Sequence, residues 1–255
     1  MTDGQWNAFC EYKENLRKKC GQWLNLADRL SPLQKAAAEK DTPEYPLETS
    51  VVYNTAYDEI QKEDEIKLIV IGDNPGKDEQ LKKNRRYLVG QSGKIADGFF
   101  RRNPELGVDF RKNVIIMNKT PVHTAKTSHL KYLLKNGGQE IAELIEQSQR
   151  EMAEMAARLH QELIEQKSPG EKSAQLWLVG YAELKGRGLF LSYRDVLKNA
   201  YHGKTTWDDV FVFQHFSMNR FLVDLKDFRA SNDGLSLEES LKKLGHQHRD
   251  EIFGA

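Results

Sequence analysis

Asp73 and Asn74 stand side by side in Gly72-Asp73-Asn74-Pro75-Gly76, directly after the apolar run "IKLIVIG" at 66–72. Asn118 closes a second run, "NVIIMN" at 113–118, and His215 and Ser217 follow another, "DVFVFQ" at 209–214. A carboxylate can take a proton from water, and an amide carbonyl can orient one. An asparagine amide offers donor and acceptor together, so it tells an oxo group from an amino group. A neutral histidine can aim an N–H at developing negative charge. Taken singly, each has an ordinary use: the five-residue stretch is rich in turn formers, Asn118 suits a cap, and a lone histidine is more often structural than catalytic. Their shared position, just past an apolar run, is what groups them.

The runs themselves, with a further one in "QLWLVG" at 175–180, are short, rich in β-branched or aromatic residues, and too continuous for strands wet on one face. They predict buried parallel strands joined by helical crossovers. In such a sheet, ligands sit outside the carboxyl ends of the strands. That rule makes 72–76, 118–123, 180–181 and 214–221 the places to look for chemistry. The expected fold is α/β, a three-layer αβα sandwich around a mainly parallel four-stranded sheet, with an N-terminal helix and a long helical insertion. Trp6, Phe9, Tyr12, Leu16, Cys20, Trp23 and Leu24 recur at helical spacing and predict one helix, with Gly21 the one place where it could break. Residues 31–64, with prolines at 32, 43 and 46, read as irregular. Within the insertion at 129–170, Ile141, Leu144, Ile145, Met152, Met155, Leu159 and Leu163 mark one long helix packed on the sheet, ended by Pro169-Gly170. The expected organisation is one domain over 1–255: an extension at 1–64, a motif-bearing core at 66–221, and a C-terminal tail at 222–255.

A chain of 255 residues can bury a substantial core as one domain. Its 38 basic and 38 acidic residues cancel, so no global field draws it to nucleic acid or membrane, and any nucleic-acid surface is a local patch. Cys10 and Cys20 are the only cysteines, too few for a disulfide framework or an iron–sulfur cluster. With no apolar leader and no stretch of 18 apolar residues, the expectation is a cytoplasmic protein away from membranes. No metal constellation is evident, and no cofactor is expected.

Four of these segments together resemble the uracil-DNA glycosylase superfamily. "GDNPG" at 72–76 is similar to its first motif, closest to the mismatch-specific and single-strand-selective monofunctional branches through Asn74. "HFSMNR" at 215–220 resembles the second, a His-Pro-Ser-Pro-type loop, with Phe216 and Met218 at the proline places. "YLVGQSG" at 87–93 resembles the Phe-Val-Gly-x-x-Gly segment of the iron–sulfur-bearing branch, without its cysteines, and "IIMN" at 115–118 resembles the strand whose terminal Asn reads the base. Order and spacing agree over 66–221.

The resemblance implies a monofunctional DNA glycosylase acting on uracil or a related deaminated or damaged base. Asn118 would read the base, and Gly72, Pro75 and either Tyr87 or Leu88 would line its pocket. His215 would act as an electrophile toward the leaving base. Asn74 would orient the water, with Asp73 the competing candidate for general base. Gly76, Gly90, Ser92 and Gly93 would approach phosphates, Ser217 and Asn219 would pinch the strand, and Met218 or Arg220 would fill the gap left by the flipped nucleotide. "KKNRR" at 82–86, Arg101, Arg102, Arg111 and Lys112 offer further phosphate contacts. DNA is the expected partner and a monomer the expected state. The competing class is a non-catalytic nucleobase, nucleotide or nucleic-acid binding protein of the same fold. The two differ in salt sensitivity, since phosphate contacts weaken steeply as salt rises.

Overall fold

Strands apolar on both sides bury themselves only between two helical layers. The computed structural model, which describes residues 1–254, places all four runs in one parallel sheet, formed by β1 (Leu68–Gly72), β2 (Val114–Asn118), β3 (Gln175–Val179) and β4 (Val210–Phe213) in the order β2-β1-β3-β4. The helices are α1 (Asp3–Trp23), α2 (Ala27–Ala38), α3 (Gln91–Arg102), α4 (Leu130–Asn136), α5 (Gly138–Glu165), α6 (Leu191–Ala200), α7 (Arg220–Ser231) and α8 (Leu237–Phe253).

Successive side chains of a strand alternate between its faces. Ile69, Ile71, Ile115, Met117, Leu176, Leu178, Val210 and Val212 meet side chains from α1, α2, α4, α5 and α6. Leu68, Val70, Val114, Ile116, Trp177, Val179, Phe211 and Phe213 meet those of α3, α7 and α8. The result is a three-layer αβα sandwich. The long insertion packs as expected: Ile141, Leu144, Ile145, Met152, Leu159 and Leu163 are buried along α5.

The N-terminal helix runs unbroken through Gly21 to Trp23. Two expectations change. The irregular segment begins near residue 39, not 31, since α2 continues through Pro32. Tertiary anchors override the proline: Leu30 is buried in the core, and Gln34 Nε2 donates to Ser50 O at 2.9 Å and His123 O at 2.7 Å. Residues 222–253 of the expected tail form a structural layer, with α8 started by a Ser236–Glu239 capping box. The segment between α2 and β1 also has a structural use. Asn54 Nδ2 and Tyr57 Oη donate to Ile116 O at 3.0 and 2.7 Å, closing the exposed edge of β2.

Candidate functional site

A cleft of about 430 Å³ opens at the carboxyl ends of the strands. Gly72 pairs in register with Asn118 across β1 and β2. A Cβ on Gly72 would stand 2.6 Å from Asn118 Oδ1, so only glycine lets the amide fold over the strand end. Asn118 borders the cleft at 2% exposure, and its Nδ2 has no hydrogen-bond partner. A buried donor left unpaired costs about 1–3 kcal/mol. Beside the cleft, that donor is free to bond a group that enters.

Asn74 is fixed differently. Its Nδ2 donates to Val122 O at 3.1 Å and Thr124 Oγ1 at 2.8 Å, which turns Oδ1 away as a free acceptor. Pro75 fastens the same loop: its carbonyl accepts from Thr124 N at 3.2 Å and from His123 Nδ1 at 2.8 Å. Burial pushes the His123 pKa down to about 4, so its ring is neutral, with Nε2 buried and unpartnered. Gly76 borders the cleft with open space where a side chain would be, and its N–H donates to Glu79 Oε2 at 3.2 Å.

Asp73 also borders the cleft, and beneath it lies Lys119, wholly buried. Lys119 Nζ donates to Asp73 Oδ1 at 2.6 Å, Val179 O at 2.5 Å and Gly72 O at 3.3 Å. Burial pulls the lysine pKa down while the carboxylate pushes it back up. The pair fits because residue 180 is glycine: a Cβ there would lie 2.3 Å from Asp73 Oδ1 and 3.1 Å from Lys119 Nζ, on a backbone with φ of +98°.

His215 follows β4 and is partly buried. The Ser217 N–H donates to its Nδ1 at 3.1 Å, and Ser217 Oγ lies 2.8 Å from the same atom. Nδ1 therefore carries the lone pair, and Nε2 keeps the proton. Desolvation lowers the His215 pKa, with Asp73 opposing and Lys119 assisting, which keeps the ring neutral. The loop then bends through two left-handed residues, Met218 (φ 54°) and Asn219 (φ 56°). Met218 is 72% exposed beside the cleft, Arg220 borders it at the start of α7, and Asn219 stands outside it. Phe216, at the place of the expected proline, is buried against Phe221.

The third motif divides. Tyr87 cannot stack on a base: it is wholly buried, donating to Val52 O at 2.6 Å in the layer under α3. Leu88 alone supplies the cleft wall. It adopts φ 49°, its N–H donates to Glu79 Oε1 at 3.0 Å, and its carbonyl accepts from Arg111 Nη2 at 2.6 Å. Gly93 is required by packing, since a Cβ there would come within 1.6 Å of that carbonyl. It is buried and serves the fold, in place of the expected phosphate contact. Gly90, the N-cap of α3, faces the Asp78 carboxylate, whereas Ser92 borders the cleft. Among the expected cations, Arg86 pairs with Glu59 and Arg101 with Asp97, and Arg111 is held on Leu88, while Lys82, Lys83 and Arg85 are exposed.

Sequence reasoning missed Glu79, whose carboxyl bridges the Gly76 and Leu88 N–H groups and is pushed up to about 7 by burial. It also missed the role of Lys119. A lysine after an apolar strand ordinarily reads as solvated, and the one signal against that was the Gly180 facing it across the strand ends.

A larger cavity, about 570 Å³, opens at the amino ends of the strands over Trp177, Phe211 and Phe213. Some of its polar groups are paired: Trp177 Nε1 with Gln175 Oε1, and Lys67 with Gly107 O. Cys10 and Cys20 are free thiols on α1, and burial pushes Cys20 up to about 12. Among the described residues, no cluster of side chains suits a metal ion and no helix is long and apolar enough to cross a membrane. No protein-family model, curated protein or solved structure matches this chain.

Proposed function

We propose that the protein is a monofunctional DNA glycosylase that hydrolyses the N-glycosidic bond of uracil or a related deaminated or damaged base. The observation that carries this reading is the buried, unpartnered Nδ2 of Asn118 beside a cleft of base-binding size. A flipped base entering that cleft meets the amide of Asn118, which rewards an oxo group with its N–H and leaves an amino group unpaired. Leu88 gives the ring an apolar wall. His215 Nε2–H faces the negative charge that develops on the leaving base, a contribution of about 3 kcal/mol in comparable sites. Asn74 Oδ1 and Asp73 are the groups for the water.

DNA is the partner this reading requires, with Ser92, Ser217 and Arg220 at the cleft margin and the exposed Met218 as the wedge that replaces the flipped nucleotide. Arg220 is the less suited of the two wedge candidates, being the first residue of α7 where Met218 is the tip of the loop. The cleft is complete within one chain, which fits action as a monomer, and two free thiols fit a reducing cytoplasm. The test is cleavage of labelled single- and double-stranded oligonucleotides, each carrying uracil, mismatched thymine, hypoxanthine, xanthine or an alkylated base. An alkali-labile abasic site from one of them, lost in Asn118→Ala, supports the reading. If none is cut at enzyme excess, glycosylase activity is refuted, and calorimetry with free nucleobases tests the binding-protein alternative.

A further inference from the structure

We infer that Asp73, not Asn74, takes the proton from the attacking water, and that Lys119 is the positioning residue that holds it for that task. The inference rests on the glycosylase reading and deepens it. Three features of the strand ends carry it.

The first is the completeness of the clamp on one carboxylate oxygen. An ammonium has three protons to donate, and Lys119 finds three acceptors, on Gly72, Asp73 and Val179. Its stem passes beside Phe190, whose ring centre is 5.0 Å from Nζ. Asp73 Oδ1 is thereby fixed, whereas Oδ2 accepts no hydrogen bond from the protein and the residue borders the cleft. The second is the poor stability argument for such a pair. Replacing a buried ion pair by apolar residues is often neutral or stabilising, and this one further constrains residue 180 to glycine. The third is the complementary state of Asn74. Its amide nitrogen is held by Val122 O and Thr124 Oγ1, so its Oδ1 is aimed but has no useful basicity. Asn74 orients the water, and Asp73 deprotonates it.

The step balances without any co-reactant. Water oxygen bonds to the sugar C1′ as the C1′–N bond breaks, and the bonding pair leaves with the base. The water proton goes to Asp73 Oδ2, and the base anion is held by His215 Nε2–H and Asn118 Nδ2–H. Asp73 then returns its proton to the departing base or to solvent. An oxocarbenium-like sugar acidifies the incoming water, so even an ion-paired carboxylate is basic enough. The charged groups facing Asp73 are Lys119 beyond β2, His215 beyond β4 and, through Lys119, Glu183 in the turn after β3.

The experiment is single-turnover cleavage of the best-cut oligonucleotide between pH 4.5 and 9, for wild type, Asp73→Asn, Asn74→Ala, Lys119→Met and the uncharged pair Asp73→Asn/Lys119→Met, with thermal melting of each. Asp73→Asn is expected to lose about 100-fold or more in rate together with the acid limb of the profile. Asn74→Ala is expected to slow but keep that limb. Lys119→Met is expected to slow cleavage about tenfold or more, and the double variant to be no slower than Asp73→Asn alone, because the lysine acts only through that carboxylate, a coupling that a purely structural lysine does not show. Should Lys119→Met fail to fold, the double variant, which buries no unpaired charge, is expected to fold and stay inactive. Asp73→Asn with a wild-type rate and profile, a folded Lys119→Met at the wild-type rate, or an active double variant overturns the inference and leaves the glycosylase reading standing. A wild type that cuts no lesion overturns both.

Discussion

The two ends of the sheet carry cavities of opposite character. At the amino ends, about 570 Å³ opens over an aromatic floor on which the one indole N–H, that of Trp177, is paired with Gln175. At the carboxyl ends, a smaller cleft keeps Asn118 Nδ2 unpartnered and His215 Nε2 turned from its own loop, above a buried ion pair. Volume alone would favour the first, whereas unsatisfied chemistry favours the second. A cavity whose polar atoms are satisfied is a packing feature, and one that leaves buried donors idle carries a cost that function must justify.

Substitution separates the two ends. Trp177→Ala, which removes a ring packed on Phe100, Phe213 and Phe221, is expected to lower unfolding stability by about 3–5 kcal/mol while leaving the cleavage rate of the folded fraction within about twofold. His215→Ala should do the reverse, losing about 100-fold or more in rate with little change in a urea melt. Asn118→Ala sharpens the contrast: removing the unpaired Nδ2 relieves a desolvation cost that offsets the lost packing, so unfolding is expected to change by less than about 1 kcal/mol while activity on the oxo-bearing base disappears. A large loss of stability in Asn118→Ala, or of rate in Trp177→Ala, would collapse the distinction.

Acid should test the histidines on the same terms. Burial holds His123, beside the cleft, and His160, under α6, neutral with pKa values near 4. A histidine depressed in the fold contributes stability that is complete above its unfolded pKa near 6.5 and is lost as pH falls through 4. Each contributes up to about 3 kcal/mol over that window. Glu79, raised to about 7, acts with the opposite sign: its contribution is complete below its unfolded value and lost as pH rises toward 7. Melting temperature is therefore expected to fall gently below about pH 6.5, where Glu79 offsets one of the two histidines, and more steeply below about 4.5, where Glu79 no longer opposes them. Removal of His160, which is hydrogen-bonded on both ring nitrogens, should flatten that drop.

The strands were legible because burial on both faces writes itself as an unbroken apolar run, and their carboxyl ends followed from a rule about parallel sheets. Asn118, His215 and the 72–76 turn could be placed at those ends for the same reason: each stands at, or within two residues of, the end of such a run. Tyr87 was not, because the two neighbours share one apolar layer and only Leu88, in its left-handed turn, reaches the cleft, which residue spacing cannot reveal. Lys119 was hidden by its own charge, since its partner lies 46 residues away and only the fold brings them together. The helix through Pro32 and the layer made by α7 and α8 escaped because tertiary burial, not local propensity, fixes both.

The smallest expected effect concerns the loop that borders the cleft. Met218 and Asn219 both occupy the left-handed region, at about 1–2 kcal/mol each for an ordinary residue and less for asparagine. Glycine relieves that strain but frees the unfolded chain by about 0.5–1 kcal/mol, so Met218→Gly and Asn219→Gly should both melt within about 1 kcal/mol of wild type. Their activities should part. Met218 is exposed and apolar, the character of a wedge between stacked bases, and a wedge matters only where a stack must be filled. Met218→Gly is thus expected to cut the lesion in duplex about tenfold more slowly, at unstacking costs of a few kcal/mol, and the same lesion in a single strand at the wild-type rate. Asn219→Gly should be normal on both. Equal slowing of Met218→Gly on the two substrates would make the loop a support of the His215 tautomer through Ser217, and not a probe of the stack.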